Sequence, residues 1–249
     1  MEARDFLALA AIGISLWSLG VTYSQRSREM KRSVRSQMNA LVVEIVKLLR
    51  SDPQQTDTDA GDSGQAQRAI LLTRQAVYLS NQEPKLITDI EFSTIAQGLW
   101  VAGDFQLAEQ FWRKSIDTAS SDFMKVVGRR GYAMYLFGLG KIEEGRRQYS
   151  LGLEIADNST DINKAMNAQT YMLWLESEAR NSFWDDALQK YQRAKGIIES
   201  MGSFQLRQAG KEMVEKLRER WIPVHGLGQG PIPTDLAPPD TSWPKPPSD

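Results

Sequence analysis

The chain of 249 residues contains no cysteine and a single histidine, His225. Without cysteine it has no disulfide framework, no thiolate nucleophile and no cysteine-ligated metal site. The histidine stands among glycines and prolines, so the usual motifs of hydrolytic and zinc chemistry have no carrier. From the sequence we therefore expect a protein that is not an enzyme and that uses neither a cofactor nor a metal.

An excess of one charge is also absent. The chain has 30 basic and 31 acidic residues and a formal net charge of −1. Nucleic-acid-binding domains usually show a strong basic excess, so we expect no nucleic acid partner.

Proline is rare except at the end, since eight of the ten prolines lie between 223 and 247. This composition predicts a disordered tail over residues 222–249.

The longest uncharged apolar run covers residues 6–23 and five basic residues follow it closely. As a helix it would be about 27 Å long, enough for a hydrocarbon core of roughly 30 Å. Basic residues next to such a run stay on the cytoplasmic side and attract lipid headgroups. We predict a single transmembrane helix with its N-terminus outside and the rest of the chain in the cytoplasm. The basic residues are Arg26, Arg28, Lys31, Arg32 and Arg35.

A cleaved signal peptide and a buried core helix are the alternatives for this run. The sequence before the run lacks the basic segment of a signal peptide, and no A-x-A cleavage site follows it. Small residues recur on one face of the run, where two helices could approach closely and form a homodimer. Alternatively, a weakly hydrophobic anchor simply contains many small residues. The small residues are Ala8, Ala11, Ser15 and Ser18.

Apolar residues at three-and-four spacing continue through the rest of the chain and predict an all-α protein. Thr88 with Glu91 forms a capping-box pattern, and Thr160 is a second candidate N-cap. The stripe Val34, Met38, Leu41, Ile45 and Leu48 either pairs two copies or packs on the rest of the chain. The predicted segments are a transmembrane anchor 1–25, a basic amphipathic helix 26–50, a disordered acidic linker 51–65, a helical domain 66–221 and the tail 222–249.

Three stretches of the helical domain share a turn, a small residue five positions later and an aromatic residue four positions after that. The three stretches are Gly103, Ala108 and Trp112; Gly140, Gly145 and Tyr149; and Ser182, Ala187 and Tyr191. This pattern resembles the tetratricopeptide repeat, a helix-turn-helix unit of 34 residues. The turns here are 37 and 42 residues apart, which implies longer helices or looser connections.

The resemblance implies a short α-solenoid of antiparallel helical hairpins, flanked by helices near 66–80 and 205–221 that cover its ends. It also implies that the first helix of each unit lines a groove that binds a protein partner. The groove residues would be Ser93, Gln97, Trp100, Arg130, Met134, Phe137, Met172 and Glu176. For Trp100, Phe137 and Met172 the alternative is a place in the core between hairpins.

Together these features predict a membrane-anchored scaffold or adaptor that holds a protein partner at the cytoplasmic face through its groove. One alternative is a structural membrane organiser that self-associates through the small residues of the anchor. Another is a periplasmic or luminal repeat protein of cell-envelope assembly.

Overall fold

The computed structural model describes the backbone of residues 3–50 and 59–221, and the side chains of residues 25, 26, 28–49 and 64–221. Within these ranges the protein is all-α, as predicted, with no strand. A short 3-10 helix, Pro84–Leu86, follows α2, because Pro84 cannot continue it. The helices are α1 Ala3–Arg50, α2 Asp59–Gln82, α3 Asp89–Val101, α4 Phe105–Asp117, α5 Asp122–Gly138, α6 Ile142–Ile155, α7 Asp161–Arg180, α8 Trp184–Glu199 and α9 Phe204–Trp221.

The chain forms two compact units, Met1–Ile87 and Thr88–Asp249. This division differs from the predicted one in two places. Helix α2 begins at Asp59, inside the segment predicted as a disordered linker. It also belongs to the first unit with α1, whereas the sequence placed it at the start of the helical domain 66–221.

In the first unit, α1 and α2 pack against each other. The stripe residues Val34, Met38, Leu41 and Ile45 are buried. Of the two interpretations of this stripe, packing within the chain is therefore the one that the structure supports. Within the same unit, Arg35 donates a hydrogen bond of 2.8 Å to the carbonyl oxygen of Leu86.

In the second unit, the helices pair as the hairpins α3–α4, α5–α6 and α7–α8. Each helix that begins a hairpin also contacts the next one, α3 with α5 and α5 with α7. Helix α9 packs on both α7 and α8 and contributes Val214 and Trp221 to their core. The last hairpin thus has its exposed side covered, as a terminal flank must do.

The three hairpins turn in the same way. Gly103, Gly140 and Ser182 have positive φ angles of 77°, 74° and 64°. In each turn the next residue donates its N–H to the carbonyl five residues earlier, at 3.0, 2.9 and 2.9 Å. This is the Schellman arrangement, which satisfies the last carbonyls of a helix. The third turn adopts it with serine, although L-residues other than glycine are disfavoured at this φ.

The aligned small and aromatic residues lie at the contacts between helices. All six are buried, namely Ala108, Gly145 and Ala187 with Trp112, Tyr149 and Tyr191. At Gly145 the helices approach so closely that an added Cβ would lie 2.5 Å from Cδ2 of Phe137. The predicted packing logic of small residues beside aromatic ones is confirmed for these positions.

Candidate interaction face of helices α3, α5 and α7

The helices α3, α5 and α7 carry all eight predicted groove residues. Because short turns join consecutive helices, neighbours in the chain are antiparallel and every second helix runs in the same direction. Four of the eight residues keep contact with solvent, namely Ser93, Gln97, Met134 and Glu176. The other four are buried, namely Trp100, Arg130, Phe137 and Met172. The groove itself stays a prediction.

The three buried apolar residues fill the core between hairpins. An added Cβ at Gly138 would lie 2.4 Å from Cζ2 of Trp100, so the indole rests directly on this glycine. Phe137 packs on Tyr149, with ring centroids 6.0 Å apart. Met172 belongs to the core that α7 shares with α8 and α9. The sequence offered a place in the core as the alternative to the groove for these three side chains, and the structure has them in the core.

Arg130 is a buried cation, 4% exposed. Its Nε donates to Thr170 Oγ1 at 2.8 Å, its Nη1 donates to Gln169 Oε1 at 3.0 Å, and its Nη2 donates to the carbonyl oxygen of Met166. All three acceptors are neutral and lie on α7. Among the residues that the structure describes, no carboxylate pairs with Arg130. Burial lowers the pKa of Arg130 to about 10, because the charged form is desolvated.

Glu176 has a fixed partner on the same helix. Its Oε1 lies 2.7 Å from Nη2 of Arg180. The Arg180 guanidinium lies 5.1 Å from the ring centroid of Trp221 on α9. Glu176 is therefore oriented by a contact that also joins α7 to the terminal helix.

A row of exposed apolar residues, which the sequence analysis missed, marks the start of the same helices. Ile90, Phe123 and Ile162 each stand second in α3, α5 and α7, and Phe204 stands first in α9. Their exposed fractions are 53%, 53%, 73% and 70%. We call these four residues the apolar edge. Their exposure at the same place in successive helices makes this edge a candidate contact surface.

The sequence carried a signal for this edge. Each of α3, α5 and α7 begins with a Ser or Thr N-cap, then Asp, then the large apolar residue. The three copies are Thr88, Asp89 and Ile90; Ser121, Asp122 and Phe123; and Thr160, Asp161 and Ile162. The N-caps predicted at Thr88 and Thr160 are confirmed, and Ser121 is a third.

The aspartates of this motif show that the helix starts lie side by side. The Asp89 carboxylate accepts a hydrogen bond of 3.3 Å from the N–H of Ser120, just before α5. The Asp161 carboxylate accepts bonds of 3.0 and 2.6 Å from the N–H groups of Gly202 and Ser203, just before α9. These backbone bonds lower the pKa of Asp161. The apolar edge therefore contains two neighbouring pairs, one at α3 and α5 and the other at α7 and α9.

A buried ion pair stabilises the packing of α6 on α7. Glu178 is fully buried, and both its oxygens lie 2.8 Å from Arg146, at Nε and Nη2. It also accepts a bond of 2.7 Å from the indole N–H of Trp174, and Arg146 reaches Asp186 at 2.7 Å. These bonds satisfy the buried carboxylate, so it has a structural role.

The predicted basic cluster lies in the first unit. Arg26, Arg28, Lys31 and Arg32 are exposed, whereas Arg35 is partly buried and bonded to Leu86. The assignment to lipid headgroups and topology stays a prediction for the first four. It also stays a prediction for Arg35, which has a structural role as well because it bonds to Leu86.

The apolar run 6–23, with Ala8, Ala11, Ser15 and Ser18, lies outside the residues whose side chains are described, as does the tail 222–249. Among the residues searched, no helix is long and apolar enough to cross a membrane. The predicted anchor and its dimer face therefore stay predictions.

No family model matches this chain, and searches of curated proteins and of solved structures found no similar protein.

Proposed function

We propose that this protein is a protein-interaction scaffold that binds a partner through the face of α3, α5 and α7, with the apolar edge as its main contact. The apolar edge carries this proposal. It places four large side chains, each more than half exposed, at the starts of four helices that run in the same direction. Exposed apolar clusters of this kind are typical of binding surfaces.

We further propose that the three hairpins are tetratricopeptide-like repeats. Their shared Schellman turns and buried small residues support this assignment. So does the contact of each first helix with the next one, which gives successive hairpins a continuous common face. Ser93, Gln97 and Glu176 would then add polar side chains to the same face, and Met134 an apolar one.

The binding test uses the full chain with Ile90, Phe123, Ile162 and Phe204 changed to Ser. Exposed substitutions cost little stability, so the variant should fold normally, which circular dichroism can confirm. After crosslinking in membranes, we expect the partner captured by the wild type to be recovered at least about tenfold less, a loss of ~1.4 kcal/mol in binding.

The matched control is Met213→Ser, which removes a half-exposed apolar side chain of α9 outside the edge. It should leave the capture unchanged. Equal recovery with the wild type and the edge variant would contradict the proposal.

We propose in addition that the run 6–23 anchors this scaffold in a membrane. Its apolar length and the basic residues that follow support this placement. The full chain should remain in the membrane pellet after alkaline extraction, and Ile12→Asp with Leu16→Asp should release it. Extraction of the wild-type chain would contradict an integral anchor.

A further inference from the structure

We propose that Arg130 is a binding site for a carboxylate, supplied by an acidic extended polypeptide that lies across α5 and α7. This inference rests on the proposed scaffold function, since it assigns the chemistry of one contact on the same face. It adds a fixed positive charge to the proposed interface.

The geometry of Arg130 carries the proposal. A guanidinium has five N–H donors, and three of them bond to neutral acceptors on α7. The remaining two have no acceptor among the described residues. A buried cation without an opposite charge is costly, and this cost is recovered when a carboxylate supplies the missing charge and acceptors.

A carboxylate from solvent would reach Arg130 at the position of the Gln169 side chain. This side chain is exposed, yet its Oε1 bonds to Nη1 of Arg130 at 3.0 Å. A carboxylate that displaces this amide would add the opposite charge to a bond whose donor is already charged, and arginine–carboxylate pairs are among the strong hydrogen bonds of proteins. Arg130 also lies seven residues beyond Phe123 on α5, about 10 Å along the helix. One extended segment can therefore contact both the apolar edge and Arg130.

We assign this carboxylate to an acidic segment of a partner protein, because the proposed scaffold binds its partner on the same face. The experiment separates this source from one other. The other is the sequence of the chain itself, since residues 222–249 contain Asp235, Asp240 and Asp249 but a single Lys. Twenty-eight residues in an extended conformation span up to roughly 90 Å, which is ample for an internal ligand.

The experiment follows the Nε–Hε signal of Arg130 by NMR in the full, arginine-labelled chain, titrated with sodium acetate or with sodium chloride at equal ionic strength. Arg130→Met identifies the signal. We expect a saturable shift with acetate that chloride does not produce. Arg113 is the internal control, because it is exposed and its guanidinium already pairs with the Glu109 carboxylate at 2.7 Å; its signal should not respond.

Two variants complete the test. Gln169→Glu supplies the carboxylate from within, so the Arg130 signal should start at the shifted position and lose its response to acetate. Replacing Asp235, Asp240 and Asp249 by Asn identifies the source. A response already present in the wild type supports the partner as the source, whereas a response that appears only in this variant overturns that assignment in favour of the tail.

The proposal is overturned if acetate and chloride act alike on Arg130 in both the wild type and the tail variant. It is also overturned if Gln169→Glu responds to acetate as the wild type does. Neither result would affect the capture experiment with the apolar edge, which does not involve Arg130, so the two proposals fail separately.

Discussion

Replacing Gln169 by Glu should stabilise the protein, although it adds a charge next to a helix interface. The new carboxylate would stand 3.0 Å from Nη1 of Arg130, where the amide oxygen now lies. Gln169 is exposed, so the carboxylate keeps part of its hydration and pays little desolvation. The buried guanidinium, in contrast, gains the opposite charge that it lacks among the described residues.

The expected gain follows from the added opposite charge, because the present bond already has a charged donor. Exposed ion pairs contribute about 0.2–1 kcal/mol, and solvent screens the buried Arg130 less than an exposed cation. We therefore expect about 1–2 kcal/mol. For a chain of this size, that corresponds to a rise in the unfolding temperature of roughly 2–8 °C.

Urea unfolding at pH 7 of the wild type, Gln169→Glu, Arg130→Met and the double variant measures this coupling. The control is Gln189→Glu beside Lys190, where an exposed amide oxygen likewise accepts a hydrogen bond from a cation, at 2.7 Å. It should gain less than about 1 kcal/mol, as exposed ion pairs do. The reasoning is refuted if Gln169→Glu is neutral or destabilising, or if its effect persists when Arg130 is Met.

The pH dependence of the gain has a defined sign. Pairing with Arg130 lowers the pKa of the introduced carboxylate in the folded state below its unfolded value of about 4.3. The stabilisation is therefore fully present above that unfolded pKa and is lost as pH falls through the folded one. Unfolding measured at pH 7 and at pH 3 should show the difference between variant and wild type shrinking at the lower pH.

Three further substitutions test the packing. Ser182→Gly should stabilise the protein by about 1 kcal/mol in urea unfolding, because φ is 64° and glycine adopts it without strain; a loss would contradict the assigned turn. Gly145→Ala should destabilise by roughly 1–3 kcal/mol, since the new Cβ would stand 2.5 Å from the ring of Phe137; an unchanged unfolding midpoint would refute this close contact. Glu178→Gln should cost about 3 kcal/mol, because it breaks a buried pair with Arg146; a cost below about 0.5 kcal/mol would show that the pair is dispensable.

Local features were predictable because their causes are local. The caps at Thr88 and Thr160, the end of α2 before Pro84 and the three hairpin turns depend on a few adjacent residues. Ser182 was placed in the third turn by its alignment with two glycines, and the structure gives it the same positive φ.

The candidate face was harder to predict because exposure depends on neighbouring helices. Trp100 and Phe137 have the spacing of groove residues, yet Gly138 and Gly145 leave room for their rings in the core. Ile90 and Ile162 follow the first residue of a helix, a position with no periodic signal of its own. The repeated Ser/Thr, Asp and apolar triplet was the one available clue.

Spacing along one chain was enough to predict that this protein is helical, where its hairpins turn and which aligned small and aromatic residues are buried. The tertiary structure decided which residues remain exposed. Burial of Arg130 arises from α7 packing across α5, and the bonds of Asp89 and Asp161 hold the helix starts of the apolar edge next to each other in pairs. Both depend on contacts between residues more than 30 positions apart, which no local pattern encodes.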